Sequence, residues 1–392
     1  MWKLTIISLL FIGASYSQMN EVTNFGSNPG NLTMYEYVPT NPQPNTSVVL
    51  VMHGCGQLAG DFANETGWND LADQYGFYVV HAGQSLVNNG SKCFNWFSPL
   101  DYERNAGEAQ SLAQMVDYMH NNYNTDNNRS YVCGLSAGGS MTSVMMATYP
   151  DKFRKGGIWA GVPYRYLTSG SNNKTPQEWG DYVRNAVPNY TGDYPTLFVC
   201  QGTDDLVVDS INETRLVEQW TDVHGTDQVS DQTNPAFMGN TDVLQNIYKD
   251  NLGQDTIVIT YTINNMAHGI AVDPGMGVME GGQTSLGAFD VDFFSTFWMA
   301  DFFDLIPKNI SNVSETINEQ LNWKKQNSQV SLTSELQEPL QLQVYSFSGQ
   351  LLLQDEFLES MSFSLNQLDS DLVILSVKKT NGTLVFSRVV NK

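Results

Sequence analysis

Between residues 47 and 303 the chain alternates short apolar runs with amphipathic stretches. Residues 47–52 (SVVLVM) are largely apolar and β-branched, and 76–81, 131–133, 158–162, 196–201 and 256–263 read as further strands. Segment 68–75 is amphipathic, 109–121 sets Leu112, Met115, Val116 and Met119 on one helical face, and 140–149 is a helix rich in Met and Ala. Strands with no polar face, separated by helices, predict an α/β fold whose mostly parallel sheet is covered on both sides.

The pattern changes after residue 305. Residues 306–328 are polar and rich in Asn and read as a linker. Residues 329–392 then alternate with period two, as in Leu340, Leu342 and Val344, with turns at Ser348-Gly349-Gln350 and Thr380-Asn381-Gly382 between apolar runs. Asn-Gly between two such runs signals a hairpin, so 329–392 is predicted to be a small all-β module. No catalytic constellation is visible in it.

A length of 392 residues allows one large domain, here 18–305, and a smaller appendage. The net charge of −22 repels phosphate backbones and anionic membrane surfaces, which argues against nucleic-acid binding. At the N-terminus Lys3 precedes an apolar run, 4–13, and small residues Ser15 and Ser17 follow. This describes a secretory signal peptide, 1–17, cleaved after Ser17, too short for a permanent membrane span. The mature protein is therefore expected outside the cell or on its surface. The four cysteines, Cys55, Cys93, Cys133 and Cys200, form no CxxC pair, so a zinc cluster is not expected.

Gly134-Leu135-Ser136-Ala137-Gly138 is a G-x-S-x-G motif between a predicted strand and a predicted helix. A serine on such a turn is an exposed nucleophile, and the helix start favours a developing negative charge beside it. Of the five histidines, His268 follows the late strand 256–263, where this chemistry places its base. His81, His120 and His224 read as structural or solvated. An orienting carboxylate must lie between the two in sequence. Asp204 and Asp205, after strand 196–201, both qualify, giving the order Ser…Asp…His. The Ala137 amide is one expected oxyanion donor, and the loop His53-Gly54-Cys55-Gly56 should supply another.

His53-Gly54-Cys55-Gly56-Gln57, Cys93-Phe94-Asn95-Trp96-Phe97, Gly107-Glu108, residues 134–141 and Pro150-Asp151-Lys152-Phe153 together resemble the poly(3-hydroxybutyrate) depolymerase family of secreted esterases, which overlaps with esterases that remove feruloyl and acetyl groups from xylan. The resemblance covers about residues 45–305. It implies an α/β-hydrolase fold. Its G-T-x-D motif selects Asp205 over Asp204, its M-x-H-G motif selects His268, and its oxyanion loop points to the Cys55 amide. One departure is Phe94, where the family usually has Trp. Cys55 and Cys93 both fall in motif loops at the active-site end and are expected to form a disulfide, while Cys133 and Cys200 lie within strands as buried thiols. The tail resembles a type IX secretion C-terminal sorting domain, through residues 344–350 and the basic end Val389–Lys392, although Ser370-Asp371-Leu372 stands where G-V-Y is usual.

The expectation is then a serine esterase in which Ser136 attacks an ester, His268 takes its proton, Asp205 orients His268, and the Cys55 and Ala137 amides hold the oxyanion. This requires no metal or organic cofactor. His53, Trp96, Phe97 and Tyr164 are expected to contact substrate. The expected substrate is a hydroxyalkanoate polyester or its oligomers, with a feruloyl or acetylxylan ester as the alternative and a non-catalytic binding protein as the second. No polymer-binding module is visible. The expected partner of the tail is the outer-membrane type IX machinery.

Overall fold

The computed structural model describes residues 19–169, 172–275, 277–307, 321–326, 328–336, 338–346, 351–368, 372–380 and 384–391. The predicted signal peptide and the two predicted tail turns lie, wholly or mostly, outside them.

Ten strands make the main sheet: β1 (Met19–Val22), β2 (Thr33–Tyr37), β3 (Thr46–Met52), β4 (Tyr78–Gly83), β5 (Thr125–Leu135), β6 (Phe153–Trp159), β7 (Thr196–Gly202), β8 (Gln232–Asn234), β9 (Val243–Lys249) and β10 (Thr256–Ile263). Their order is β1-β2-β4-β3-β5-β6-β7-β10-β9-β8. The central six, β4 to β10, pair in parallel, and the outer strands add on antiparallel at both edges. Those outer strands escape the apolar-run reading because edge strands carry polar residues on their open side.

Helices α1 (Ala59–Thr66), α2 (Trp68–Tyr75) and α7 (Ser295–Phe302) pack on one face. Helices α3 (Gly107–Asn122), α4 (Ala137–Thr148), α5 (Pro176–Ala186) and α6 (Ile211–His224) pack on the other. Alternation along each strand feeds both cores: Val49 and Val51 of β3 enter the first, and Val48, Leu50 and Met52 the second. This two-sided burial is why the strands read as unbroken apolar runs.

Strand β6 begins at Phe153, before the predicted 158–162, and ends at Trp159. Its Gly156 and Gly157 hid it from a propensity reading. A Cβ at Gly156 would lie 2.1 Å from the Met146 sulfur of α4, and one at Gly157 would lie 2.2 Å from the Met299 sulfur of α7. Both helices press onto bare backbone here.

The predicted linker is partly strand. Ile306 is buried in the first core, and β13 (Leu321–Gln326) pairs with β14 (Gln329–Ser334). A short parallel pair, β11 (Ile270–Val272) with β12 (Ala288–Asp290), precedes α7. In the tail β17 (Ser360–Ser364) completes a three-stranded sheet with β13 and β14. A second sheet orders β16 (Leu351–Phe357), β15 (Leu340–Ser346), β18 (Leu372–Lys379) and β19 (Leu384–Asn391). Leu332, Leu340, Leu342, Val344, Leu375 and Val377 share its apolar core. Among the described residues no helix is long and apolar enough to cross a membrane.

Candidate active site

The chain runs from β3 to β4 on one side and returns to β5 on the other. Such a reversal leaves a crevice beyond the carboxyl ends of the strands, and open α/β sheets bind ligands there. Four loops meet at that edge, those after β3, β5, β7 and β10.

Ser136 joins β5 directly to α4 with φ +57°, a left-handed conformation that side chains with a Cβ rarely adopt. Its amide donates to Trp159 O at 2.9 Å, and its carbonyl accepts from Ser140 N at 2.8 Å. The flanking glycines have a packing reason. A Cβ on Gly138 would sit 2.3 Å from Met52 O of β3, and one on Gly134 would sit 2.5 Å from the backbone of Gly138. The elbow folds tightly onto the neighbouring strand, which positions Ser136 at the edge of the sheet.

The loops after β7 and β10 are joined backbone to backbone. Thr203 N donates to Ile263 O and Asp204 N to Met266 O, both at 3.0 Å, which prolongs the β7–β10 pairing. Asp204 is exposed, while the Asp205 side chain is fully buried. His268 Nδ1 donates to Asp205 Oδ2 at 2.7 Å, so the imidazole keeps Nε2 as its basic nitrogen. Asp205 Oδ1 accepts the amides of Val207 and Val208, each at 2.8 Å, and Gln201 Nε2 reaches Oδ2 at 3.1 Å. Burial pushes the Asp205 carboxyl up, but His268 and the two amides outweigh it and hold the group below the ordinary carboxylate value.

Ser136 and His268 both open into a cavity of about 650 Å³ walled by Gly54–Gln57, Asp61, Glu65, Leu135, Val207 and Ser285–Gly287. In the loop after β3, Gly54 N donates to Gln57 Oε1 and Gly56 N to Ser91 O, both at 2.8 Å. The amides of Cys55 and Ala137 find no acceptor among the described residues. Cys55 is disulfide-bonded to Cys93, and Cys133 and Cys200 are buried free thiols.

None of the four expected substrate contacts, His53, Trp96, Phe97 and Tyr164, is among the residues that wall this cavity. His53 is buried, with Nδ1 on Gly54 O and Nε2 accepting from Gln84 N. Tyr164 is buried against Tyr102, its backbone held by both ends of the Gln219 amide on α6. Trp96 packs edge-on against Phe97 and beside Tyr166, on the flank of the second core. Tyr164 is buried, Trp96 half-buried and Phe97 exposed, and a large aromatic ring gains from burial wherever the core offers it. The sequence reading passed over the true wall. The available signal was exposed apolar residues in polar loops, Leu206-Val207 directly after Asp205 and Leu286 further along the chain.

Three carboxylates away from the cavity, Asp273, Asp290 and Asp292, bring oxygens within 4.8 Å of one another. None of the three is in the cavity wall, and they enter no step below.

Residues 35–235 match the esterase PHB depolymerase family. A poly(3-hydroxyalkanoate) depolymerase C from Paucimonas lemoignei is 40% identical over 309 residues, covering 76% of this chain and 73% of that protein. A feruloyl esterase B from Talaromyces stipitatus is 35% identical over 244 residues, covering 58% and 67%. Among solved structures, an acetyl xylan esterase from Aspergillus awamori aligns with a TM-score of 0.58 at 26% identity, over 64% of this chain and 94% of that one. A nucleophile elbow, a carboxylate-bound histidine and this family match agree: the chain belongs to the esterase PHB depolymerase family, and it is a serine hydrolase of carboxylic esters.

Proposed function

We propose that the protein hydrolyses hydroxyalkanoate polyester chains or their oligomers outside the cell, through an acyl-enzyme on Ser136. His268 Nε2 takes the Ser136 proton as the hydroxyl attacks the ester carbonyl. Asp205 stabilises the imidazolium, and the amides of Cys55 and Ala137 bind the oxyanion. The alcohol leaves with the proton from His268, and water repeats the sequence in reverse roles to release the acid.

One observation carries the substrate class. The described wall around Ser136 holds aliphatic Leu135, Val207 and Leu286 but no Phe, Tyr or Trp, and Leu206, Val207 and Leu286 stand out into solvent at or beside its mouth. An aliphatic rim suits an aliphatic ester chain, whereas a feruloyl group gains most from a ring to stack on. The likeness to a poly(3-hydroxyalkanoate) depolymerase supports the same reading. Gln57, Asp61 and Glu65 favour the second reading, a sugar ester, since they offer hydrogen bonds to hydroxyls. Export rests on the signal-like residues 1–17 and on a Cys55–Cys93 disulfide, which suits an oxidising compartment. The tail's all-β pattern and its resemblance to a sorting domain support delivery by type IX machinery.

Purified protein is incubated with hydroxybutyrate oligomers, polyhydroxybutyrate film, acetylxylan and methyl ferulate, with Ser136→Ala as control. Hydroxybutyrate release that exceeds acetate and ferulate release supports the proposal. Efficient release of acetate or ferulate without cleavage of oligomers overturns it in favour of a cell-wall esterase.

A further inference from the structure

Glu108 lies in the first turn of α3 with no exposed surface. Its carboxylate collects four N–H donors from the loop that follows β4. Oε2 accepts from Asn95 N at 2.7 Å, and Oε1 accepts from Gln84 Nε2 at 2.6 Å, Asn95 Nδ2 at 2.6 Å and Asn88 Nδ2 at 2.9 Å. Burial pushes this carboxyl up to about 7, with Asp101 adding to the rise, while the Asn95 and Gln84 bonds oppose it. A protonated Glu108 would bring its own O–H among donors only. The geometry therefore suits the ionised form, whose burial is offset by its four N–H donors.

The network continues toward the cavity. Gln84 N donates to His53 Nε2 at 3.1 Å, and Gln84 Nε2 also donates to Cys93 O at 3.1 Å. Burial lowers the His53 pKa, which keeps its ring neutral, so Nδ1 carries the proton and donates to Gly54 O at 2.7 Å. Phe94 packs its ring 5.1 Å from that of His53 and helps hold it in place. The Gly54 carbonyl and the Cys55 amide belong to one planar trans peptide and point in opposite directions. A bond that fixes the carbonyl therefore fixes the direction of the Cys55 N–H.

We propose that Glu108 is a positioning residue: through Gln84 and His53 it sets the orientation of the Gly54–Cys55 peptide and so aims the Cys55 amide at the oxyanion. This rests on the assignment of that amide under the proposed function. The Cys55–Cys93 disulfide and the Gly56 N to Ser91 O bond fix where the loop lies. The Glu108 chain fixes how its peptide is rotated.

Glu108→Gln keeps the shape and removes the charge. In the full chain, kcat for p-nitrophenyl butyrate should fall about 10- to 100-fold with KM within about twofold, because a misaimed donor is felt in the transition state. Inhibition by butaneboronic acid, whose serine adduct places an oxygen in the same hole, should weaken by a similar factor. Gln84→Ala should give the same split, and the double variant should be no worse than the poorer single, since both break one chain. Gln84→Ala alone carries the test if Glu108→Gln is insoluble. A folded variant with unchanged kcat and unchanged boronate inhibition overturns the inference, as do additive losses that appear in KM and thermal stability alone. Loss of activity in Ser136→Ala, measured alongside, separates this outcome from failure of the esterase reading itself.

Discussion

The buried carboxylate of Asp205 receives His268 Nδ1 at 2.7 Å, while the adjacent Asp204 turns outward and its carboxylate accepts Thr203 Oγ1 at 3.2 Å. The turn after β7 buries the Asp205 side chain and leaves Asp204 exposed, so only Asp205 is placed to serve the imidazole. Asp205→Asn should lower kcat by about 10⁴-fold, since an amide no longer holds the correct tautomer. Asp204→Asn should stay within about twofold of the parent. Hydrolysis of p-nitrophenyl butyrate by the two variants measures this; equal losses would refute the assignment.

The same carboxylate makes an acid-stability prediction. Its folded-state pKa is depressed, so its stabilising contribution is complete above the unfolded value of about 3.9 and is lost as pH falls through the lower, folded value. The Tm of the parent should therefore fall more steeply than that of Asp205→Asn below about pH 4. Parallel Tm profiles across that window would show that the carboxylate is not linked to folding in this way.

At the elbow, Ser136→Ala should remove about 10⁴- to 10⁶-fold of kcat and leave circular dichroism unchanged. Gly138→Ala should do the reverse of a clean catalytic lesion. Its Cβ would meet Met52 O at 2.3 Å, so β3 and α4 must part. A stability loss of about 1–3 kcal/mol in urea denaturation is expected, with activity falling as the Ser136 backbone shifts.

The disulfide joins Cys55 to Cys93, 38 positions apart in the sequence. On chain-entropy grounds its loss should destabilise the fold by about 4 kcal/mol. Cys93→Ser should accordingly lower Tm by about 10 °C. It should also reduce kcat, because the bond anchors the loop that carries the Cys55 amide. Calorimetry and turnover of the variant test both parts, and an unchanged Tm would show that the rest of the loop is held without the bond.

The ionisable groups in the cavity wall are His268, Asp61 and Glu65, with no cation among the described lining residues. A substrate bearing a free carboxylate near the scissile bond meets like charge. Methyl esters of short hydroxybutyrate oligomers should therefore have kcat/KM about three- to tenfold above the free acids at low ionic strength. Added salt should narrow the gap. Asp61→Asn should narrow it as well, and a ratio near one at low salt would refute the electrostatic argument.

Much of the site could be read from the chain because its constraints are local. Residues 134–138 require two positions without a Cβ around a strained serine, and residue type alone records that requirement. The order of Ser136, an acid and His268 follows from the order of strands, and strand order follows from apolar runs buried on both faces. Tertiary structure decided whatever depends on distant segments. It buried Asp205 and left Asp204 exposed, with Thr203 N bound to Ile263 O of β10 and Asp204 N to Met266 O of the loop after it. It buried His53 and Tyr164 by laying Gln84 and Gln219 against them. It built the cavity wall from aliphatic and acidic residues of loops far apart in sequence, and it made a strand of Leu321–Gln326 by supplying β14 as partner. A side chain's type limits the conformations open to its own backbone, but what covers it is settled only when the rest of the chain arrives.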